Sequence, residues 1–459
     1  MKILSIPALA CAMALGFGLA SAQTITPTRV GPVSQYGQLI TGKNSAGEGR
    51  IYGSCQGVKD GAEVQVRGMS LYWSLQPQAV EYWSEEGIAT MVKDMKIQIV
   101  RAAMATSDQD WWGCKNFGEC GKDGAEHMRG YAVDKDYQTN LMKTVVEAAI
   151  KQDIYVIIDW HSHIANTETE NSKAFFAEMA QQYGQYDHVI FELFNEPEKQ
   201  SWSEVKNYAN QVIPEIRKYS DNLIIVGNPS WDQNPQNAIN SEVSDSKKNT
   251  AYALHYYAMS HQATGNNSWG GPSEGARGLE AMKAGLSIFI SEWGTGTADG
   301  KGTPGESQNK AWQDYANQYK ISWANWSASH IAEGTAAFAS GSNKNSLQYT
   351  ASGNMVKGFL STNPETYTKC NDGSQQGGQQ QAINSFVPAS ALNVTFSNKA
   401  LEITGTSAAT VELFDLKGHK LMMIDGVSGS LSLAKLPAGM YMVKVSSGSA
   451  HQAKVIHLK

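Results

Sequence analysis

Eight short apolar runs, each followed by a stretch with helical character, constrain this chain more than anything else in its sequence. They are VQVRGMSL from Val64, IQIVRAAM from Ile97, YVIIDWH from Tyr155, VIFELFNEP from Val189, LIIVGN from Leu223, AYALHYY from Ala251, LSIFISEWG from Leu286 and ISWANWSA from Ile321. Runs this apolar read as strands buried on both faces, the kind a parallel sheet needs. Helical patterns over 79–95, 137–151, 201–219 and 308–319 lie between them. Strands alternating with helices in this number predict an α/β fold of the (β/α)8, or TIM, barrel type. A doubly wound open sheet is the competing arrangement, but no glycine-rich phosphate loop follows the first run.

The ends of the chain read differently. Lys2, an apolar stretch to Leu19 and the small residues Ala20-Ser21-Ala22 have the pattern of a secretory signal over 1–22. No later stretch reaches the roughly 18 apolar residues of a membrane span, so an extracellular protein is expected, secreted or held at the cell surface. The barrel domain is placed at 23–370, where 23–62 form a Gly/Ser/Thr/Gln-rich leader packed on the barrel. Residues 371–382 carry a run of polar residues and glycine and read as a flexible linker. From 383 to 459 short alternating segments predict a small β-sandwich. The four cysteines outside the signal, Cys55, Cys114, Cys120 and Cys370, suit disulfides in an exported chain, with three pairings open. Proximity favours Cys114 with Cys120 and Cys55 with Cys370. A net charge of -6 without basic runs speaks against nucleic acid, and a monomer is expected.

The parallel strands of a barrel all end at one mouth, where its chemistry resides. The polar residues at those ends are Arg101, Asp159 with His161, Asn195 with Glu196, His255 with Tyr257, and Glu292, beside Trp326. Two acids on two strand ends suit hydrolysis of an acetal, with one protonating the leaving oxygen and the other attacking or activating water. Arg101 is the cation available to hold one of them ionised. Asn195 suits a sugar 2-hydroxyl, and Tyr257 can orient a carboxylate. Tryptophans 73, 111, 112, 160, 231, 269, 293 and 326 offer flat faces to sugar rings. His161-Ser162-His163 has the form of a metal-binding pair, but no second histidine pair follows, so neither metal nor cofactor is expected.

In order and spacing, VIFELFNEP, SIFISEWG, VRAAM, VIIDWH, HYY and SWANWS resemble glycoside hydrolase family 5, and within it the bacterial endoglucanases, over about 64–360. The resemblance implies retaining hydrolysis of β-1,4-glucan such as cellulose. Carried over by motif, Glu196 is the acid/base and Glu292 the nucleophile, supported by Arg101, His161, Asn195, His255 and Tyr257. Trp73, Trp326 and Glu333 are expected to bind substrate. A β-mannanase, a xyloglucanase or a non-catalytic glycan-binding protein on the same scaffold are the alternatives. Two departures stand out. Ser70-Leu71-Tyr72-Trp73 replaces a histidine-bearing turn, and Ile331 stands where relatives often have lysine. LFDLKG from Leu413, LAKLPAGMY from Leu433 and the closing Lys454-Val455-Ile456 resemble the C-terminal sorting domains of the type IX secretion system. That machinery is the expected partner of the tail.

Overall fold

The computed structural model describes residues 24–106, 130–370 and, with short breaks, 393–458. The signal-like segment, the linker and the Trp111–Cys120 region therefore lie outside the described residues. By internal contacts the chain divides into two units, Met1–Asp372 and Gly373–Lys459.

In the first unit a hairpin, β1 (Leu39–Lys43) and β2 (Gly49–Gly53), precedes the barrel. The barrel strands are β3 (Arg67–Leu71), β4 (Ile99–Ala105), β5 (Tyr155–His161), β6 (Val189–Glu192), β7 (Ile224–Val226), β8 (Thr250–Ala253) with β9 (Tyr256–Tyr257), β10 (Ile288–Gly294) and β11 (Trp323–Ala328). All neighbours are parallel, and β11 pairs with both β10 and β3, which closes the cylinder. Each of the eight expected runs contributes a strand. The sixth is split because the His255 backbone N–H leaves the ladder to donate to the Asp232 carbonyl at 3.0 Å.

Side-chain alternation sorts the strand residues into two cores. Val156, Ile158, Trp160, Val189, Phe191 and Trp293 face outward to the helices. Tyr155, Ile157, Ile190, Ile225 and Phe289 fill the barrel interior. Two of the expected sugar platforms are thereby corrected. Trp160 and Trp293 are almost fully buried in the outer layer, because each alternates with an inward-facing neighbour on its strand.

The leader is more ordered than its composition suggests. Val33, Leu39 and Ile51 join the interior cluster and cap the barrel at its amino-terminal end. Gly49 is needed there, since a Cβ would lie 2.1 Å from the Leu286 carbonyl oxygen. A disulfide joins Cys55 to Cys370; the Cys114–Cys120 pairing falls outside the described residues. The helical pattern over 79–95 is broken in two, Pro77–Val80 and Glu85–Met95, where the Ser84 side chain caps the second helix by accepting from Gly87 N–H. Trp202–Arg217 starts as expected, at a Ser201–Glu204 capping box.

One buried ion pair ties this unit to pH. Arg217 donates to both oxygens of Asp245 at 2.7 and 2.8 Å. Burial opposes charge on Asp245, but these bonds, the Arg217 charge and the Lys247 backbone N–H hold its pKa down at about 2. A depressed carboxyl stabilises above its unfolded value of about 3.9, and that contribution disappears as pH falls through the folded value. Acid unfolding should thus lose on the order of 2 kcal/mol from this pair between about pH 4 and pH 2. Denaturant titrations of Asp245→Asn against the parent should lack that slope.

In the second unit β12 (Asn393–Ser397), β13 (Ala400–Thr404) and β16 (Gly429–Ser432) form one antiparallel sheet. The strands β14 (Ala409–Phe414), β15 (Lys420–Val427), β17 (Gly439–Ser447) and β18 (Ala450–Leu458) form another. Leu401 and Ile403 of the first sheet share one core with Val411, Leu413, Val443 and Val445 of the second, as in a sandwich. Phe396 and Tyr441 pack against that core rather than standing out as glycan platforms. No helix among the described residues is long and apolar enough to cross a membrane.

Candidate active site

Arg101 organises the mouth of the barrel. It sits on β4, fully buried, and its planar fork reaches five side chains, Ser70 Oγ among them at 3.4 Å from Nη1. Its Nε donates to Glu192 Oε2 at 2.6 Å, Nη1 to Glu292 Oε2 at 2.7 Å and Nη2 to Asn195 Oδ1 at 2.5 Å. Nη2 also lies 2.9 Å from Asp159 Oδ2. Burial works against the guanidinium charge, but Asp159, Glu192 and Glu292 more than offset it and keep Arg101 charged.

Glu292 receives a second donor, the Tyr257 hydroxyl, at 2.8 Å. A register shift on β10 between Ile290 and Trp293 explains its aim. The irregularity lets both Ser291 and Glu292 reach the mouth while Trp293 stays in the outer core, a common use of a bulge beside a site. Ser291 Oγ lies 2.9 Å from His255 Nε2, and His255 Nδ1 lies 3.0 Å from Glu196 Oε1. One carboxylate oxygen of Glu196, one of Glu292 and a His255 nitrogen lie within 4.8 Å of one another.

The remaining expected residues are placed as follows. His161 Nδ1 donates to Asp159 Oδ2 at 2.7 Å. Burial and the Arg101 charge push the His161 pKa well down, so the ring is neutral. Trp326 stacks parallel to it at 5.3 Å, and Trp73 meets it edge-on at 5.3 Å. Tyr72, Trp73, Trp326 and, at the margin, Tyr257 and Ile331 form one aromatic and apolar wall. Glu333 accepts from the Tyr72 hydroxyl at 3.0 Å, so the two departures noted in the sequence meet at this wall. His163 is not paired with His161 as a metal site would need; its Nδ1 lies 3.1 Å from the Glu196 carbonyl oxygen.

Three participants escaped the sequence reading. Glu192 and Asp232 are fully buried, and their oxygens lie 3.7 and 3.4 Å from His255 Nε2. Ser291 is the third. Glu192, Asp232 and His255, or Glu196, His255 and Glu292, could in principle hold a cation. Both oxygens of Glu292 already accept from Arg101 and Tyr257, so the second of these sets suits protons rather than a metal.

Burial and the Glu196 charge push the Glu292 carboxyl up, against Arg101, His255 and Tyr257. Burial also opposes charge on Glu196, yet the bond from His255 and its charge bring this carboxyl below the usual range. His255 is itself raised well above an ordinary histidine by Asp232, Glu192 and Glu196, despite burial. Carboxyls this close titrate as one system. With His255 charged, the shared proton rests nearer Glu292. The nucleophile and acid/base roles expected from the sequence need the opposite distribution, Glu292 ionised and Glu196 protonated, and the donors favour that, two on Glu292 and one on Glu196.

Two cavities, of about 380 and 420 Å³, lie away from the site and are lined by residues such as Lys93 and Lys96, or Asp153 and His188.

Comparison with known proteins agrees with this geometry. The family model for cellulases of glycosyl hydrolase family 5 matches residues 58–331, more than half of the chain. The model for the secretion system C-terminal sorting domain matches residues 389–459. Endoglucanase Z of Dickeya dadantii is 37% identical over 300 residues, covering 65% of this chain and 62% of that protein. An endoglucanase of Clostridium saccharobutylicum is 30% identical over 361 residues, covering 76% of this chain and 72% of that one. The chain thus spans less than two thirds of Endoglucanase Z. Among solved structures, a catalytic domain of a Thermobifida fusca endoglucanase in complex with cellotetraose aligns with a TM-score of 0.58 at 25% identity. It covers 72% of this chain and 100% of that one.

Proposed function

The chain belongs to glycosyl hydrolase family 5, and from that membership we propose that it is an exported endo-β-1,4-glucanase that cleaves with retention of configuration. The observation carrying the mechanism is the approach of Glu196 and Glu292 oxygens to within 4.8 Å. That approach suits the carboxyl separation of about 5–5.5 Å used for double displacement and is short of the roughly 6.5–9.5 Å that leaves room for water in inversion.

Glu292, aimed by Arg101 and Tyr257, attacks the anomeric carbon while Glu196 protonates the departing glycosidic oxygen. The glycosyl ester on Glu292 is then opened by water, whose proton Glu196 takes. Once Glu292 is esterified its charge is gone, and Glu196 ionises more readily, which suits its change from acid to base. Asn195 is fixed by its bond from Arg101, leaving its amide N–H groups for the sugar 2-hydroxyl. Trp73, Trp326 and Glu333 line the cleft on the Glu292 side. The C-terminal unit serves export rather than catalysis, with the type IX secretion machinery as its partner. Both the sorting-domain match and the absence of tryptophan after Trp326 support this.

Reducing-sugar release by the purified protein on carboxymethyl-cellulose, glucomannan and xyloglucan tests the substrate. Turnover of the cellulose derivative is expected. Activity on glucomannan or xyloglucan alone would keep the chemistry and replace the substrate; none on any would favour a glycan-binding protein.

A further inference from the structure

Four large apolar side chains are exposed among the described residues of the barrel unit: Ile164, Tyr219, Trp231 and Trp269. All but Tyr219 stand on loops that follow barrel strands, β5, β7 and β9; the first two strands flank β6, which leads to Glu196, and β9 lies beside β10. Trp231 is tied in beside the acid, its backbone N–H donating to the Pro197 carbonyl at 2.9 Å. Trp269 is different, being 93% exposed.

Its loop is nonetheless well held. Asn267 Oδ1 accepts from Trp269 N–H and Gly271 N–H at 3.1 Å each. Asn267 N–H donates to the Gly271 carbonyl at 2.8 Å, and Asn266 bridges to Pro272 as in a small hairpin. Gly265 and Gly270 supply the left-handed backbone at its two ends, at φ of 78° and 81°. Apart from their chain neighbours, no described residue lies within 4 Å of where a Cβ on either glycine would be. Among the described residues the loop thus meets no facing wall. The helix Glu274–Lys283 that follows joins it to the Trp231 loop, with Arg277 Nη1 donating to Asn234 Oδ1 at 2.7 Å.

We infer that Trp269 is a docking point for the flat face of insoluble β-1,4-glucan, outside the cleft that holds the chain being cut. The inference rests on the glucanase reading. An indole with protein on one side only can meet a surface, not a strand enclosed between walls. The segment around it, QATGNNSWGGPS from Gln262, has no charged residue but several amides and hydroxyls, the chemistry of a neutral polyol partner rather than of a membrane or a charged protein. Aromatic faces suit the C–H faces of such a partner. With no tryptophan after Trp326, grip on solid substrate falls to the barrel.

The test is a depletion isotherm of the full protein on microcrystalline cellulose, with initial rates on cellotetraose measured in parallel. Trp269→Ala should bind the solid about three- to tenfold more weakly, change kcat/KM on cellotetraose by less than about twofold, and be rescued in part by Trp269→Tyr. Unchanged binding of Trp269→Ala would overturn the inference. So would an equal loss on cellotetraose, which would place the indole in the cleft, or conversion of a dimer to a monomer on gel filtration, which would make a second copy its partner. Failure of the parent to turn over cellotetraose would instead count against the glucanase reading and leave the isotherm to be judged by itself.

Discussion

Glu292→Gln should lower kcat on carboxymethyl-cellulose by at least about 10³-fold while leaving the protein folded. The amide keeps the shape of the side chain; its single oxygen still accepts from Arg101, at 2.7 Å in the parent, while its NH2 takes the place of the oxygen that accepts from the Tyr257 hydroxyl at 2.8 Å. It cannot form the glycosyl ester. Glu196→Gln should cost about 10²- to 10⁴-fold on the polysaccharide, but far less in the first step on an aryl cellobioside whose leaving group needs no proton. Initial rates on the two substrates separate the roles. A Glu292→Gln enzyme that lost activity only on the polysaccharide would reverse them.

Replacing Arg101 should be the most damaging change for stability. The guanidinium is the one cation within reach of the buried Asp159, Glu192 and Glu292 carboxylates other than His255 among the described residues. Arg101→Leu fills much of the volume but strands those charges, at a cost of about 3–5 kcal/mol, or on the order of 10 °C in Tm. The sign of its pH dependence follows from the same argument. Burial already raises the Asp159 and Glu292 carboxyls while Arg101 and His255 hold Glu192 down; without Arg101 all three rise further, so their protonated forms suit the fold at low pH and the cost grows as pH rises. Denaturant unfolding of Arg101→Leu and the parent at about pH 5 and pH 8 should show the larger deficit at pH 8. Equal deficits would mean that these carboxylates are not what Arg101 holds.

The barrel was legible in the sequence because a parallel sheet buried on both faces leaves long apolar runs, and each run ends in the residue it delivers. The placement of Glu196 and Glu292 beyond the ends of their apolar runs was legible for the same reason. Glu192 was overlooked although a signal was present: it lies two residues after Ile190, hence on the same interior face, and a carboxylate there requires a cation. Arg101 stands in an equally apolar run. Trp160 and Trp293 were misplaced because residue type was weighed without the strand's alternation; the β10 bulge further upsets simple counting. Asp232 had no such signal. It is brought behind His255 by Ser230, Trp231 and Asp232 itself, all left-handed with φ of 61°, 56° and 57°, a conformation no local pattern in Pro-Ser-Trp-Asp announces. The β1–β2 hairpin was hidden by its glycines, of which Gly49 serves close approach to the barrel and Gly47 a left-handed turn.

The most direct test of the account is to trap the intermediate. A 2-deoxy-2-fluoro cellobioside with a good leaving group slows both steps by destabilising positive charge at the sugar, while the leaving group restores the first, so the ester accumulates. Peptide mass mapping after such treatment should find the sugar on Glu292, and Glu292→Gln should remain unlabelled. A label on another residue, or turnover with inversion and no label, would contradict the double displacement assigned to Glu196 and Glu292.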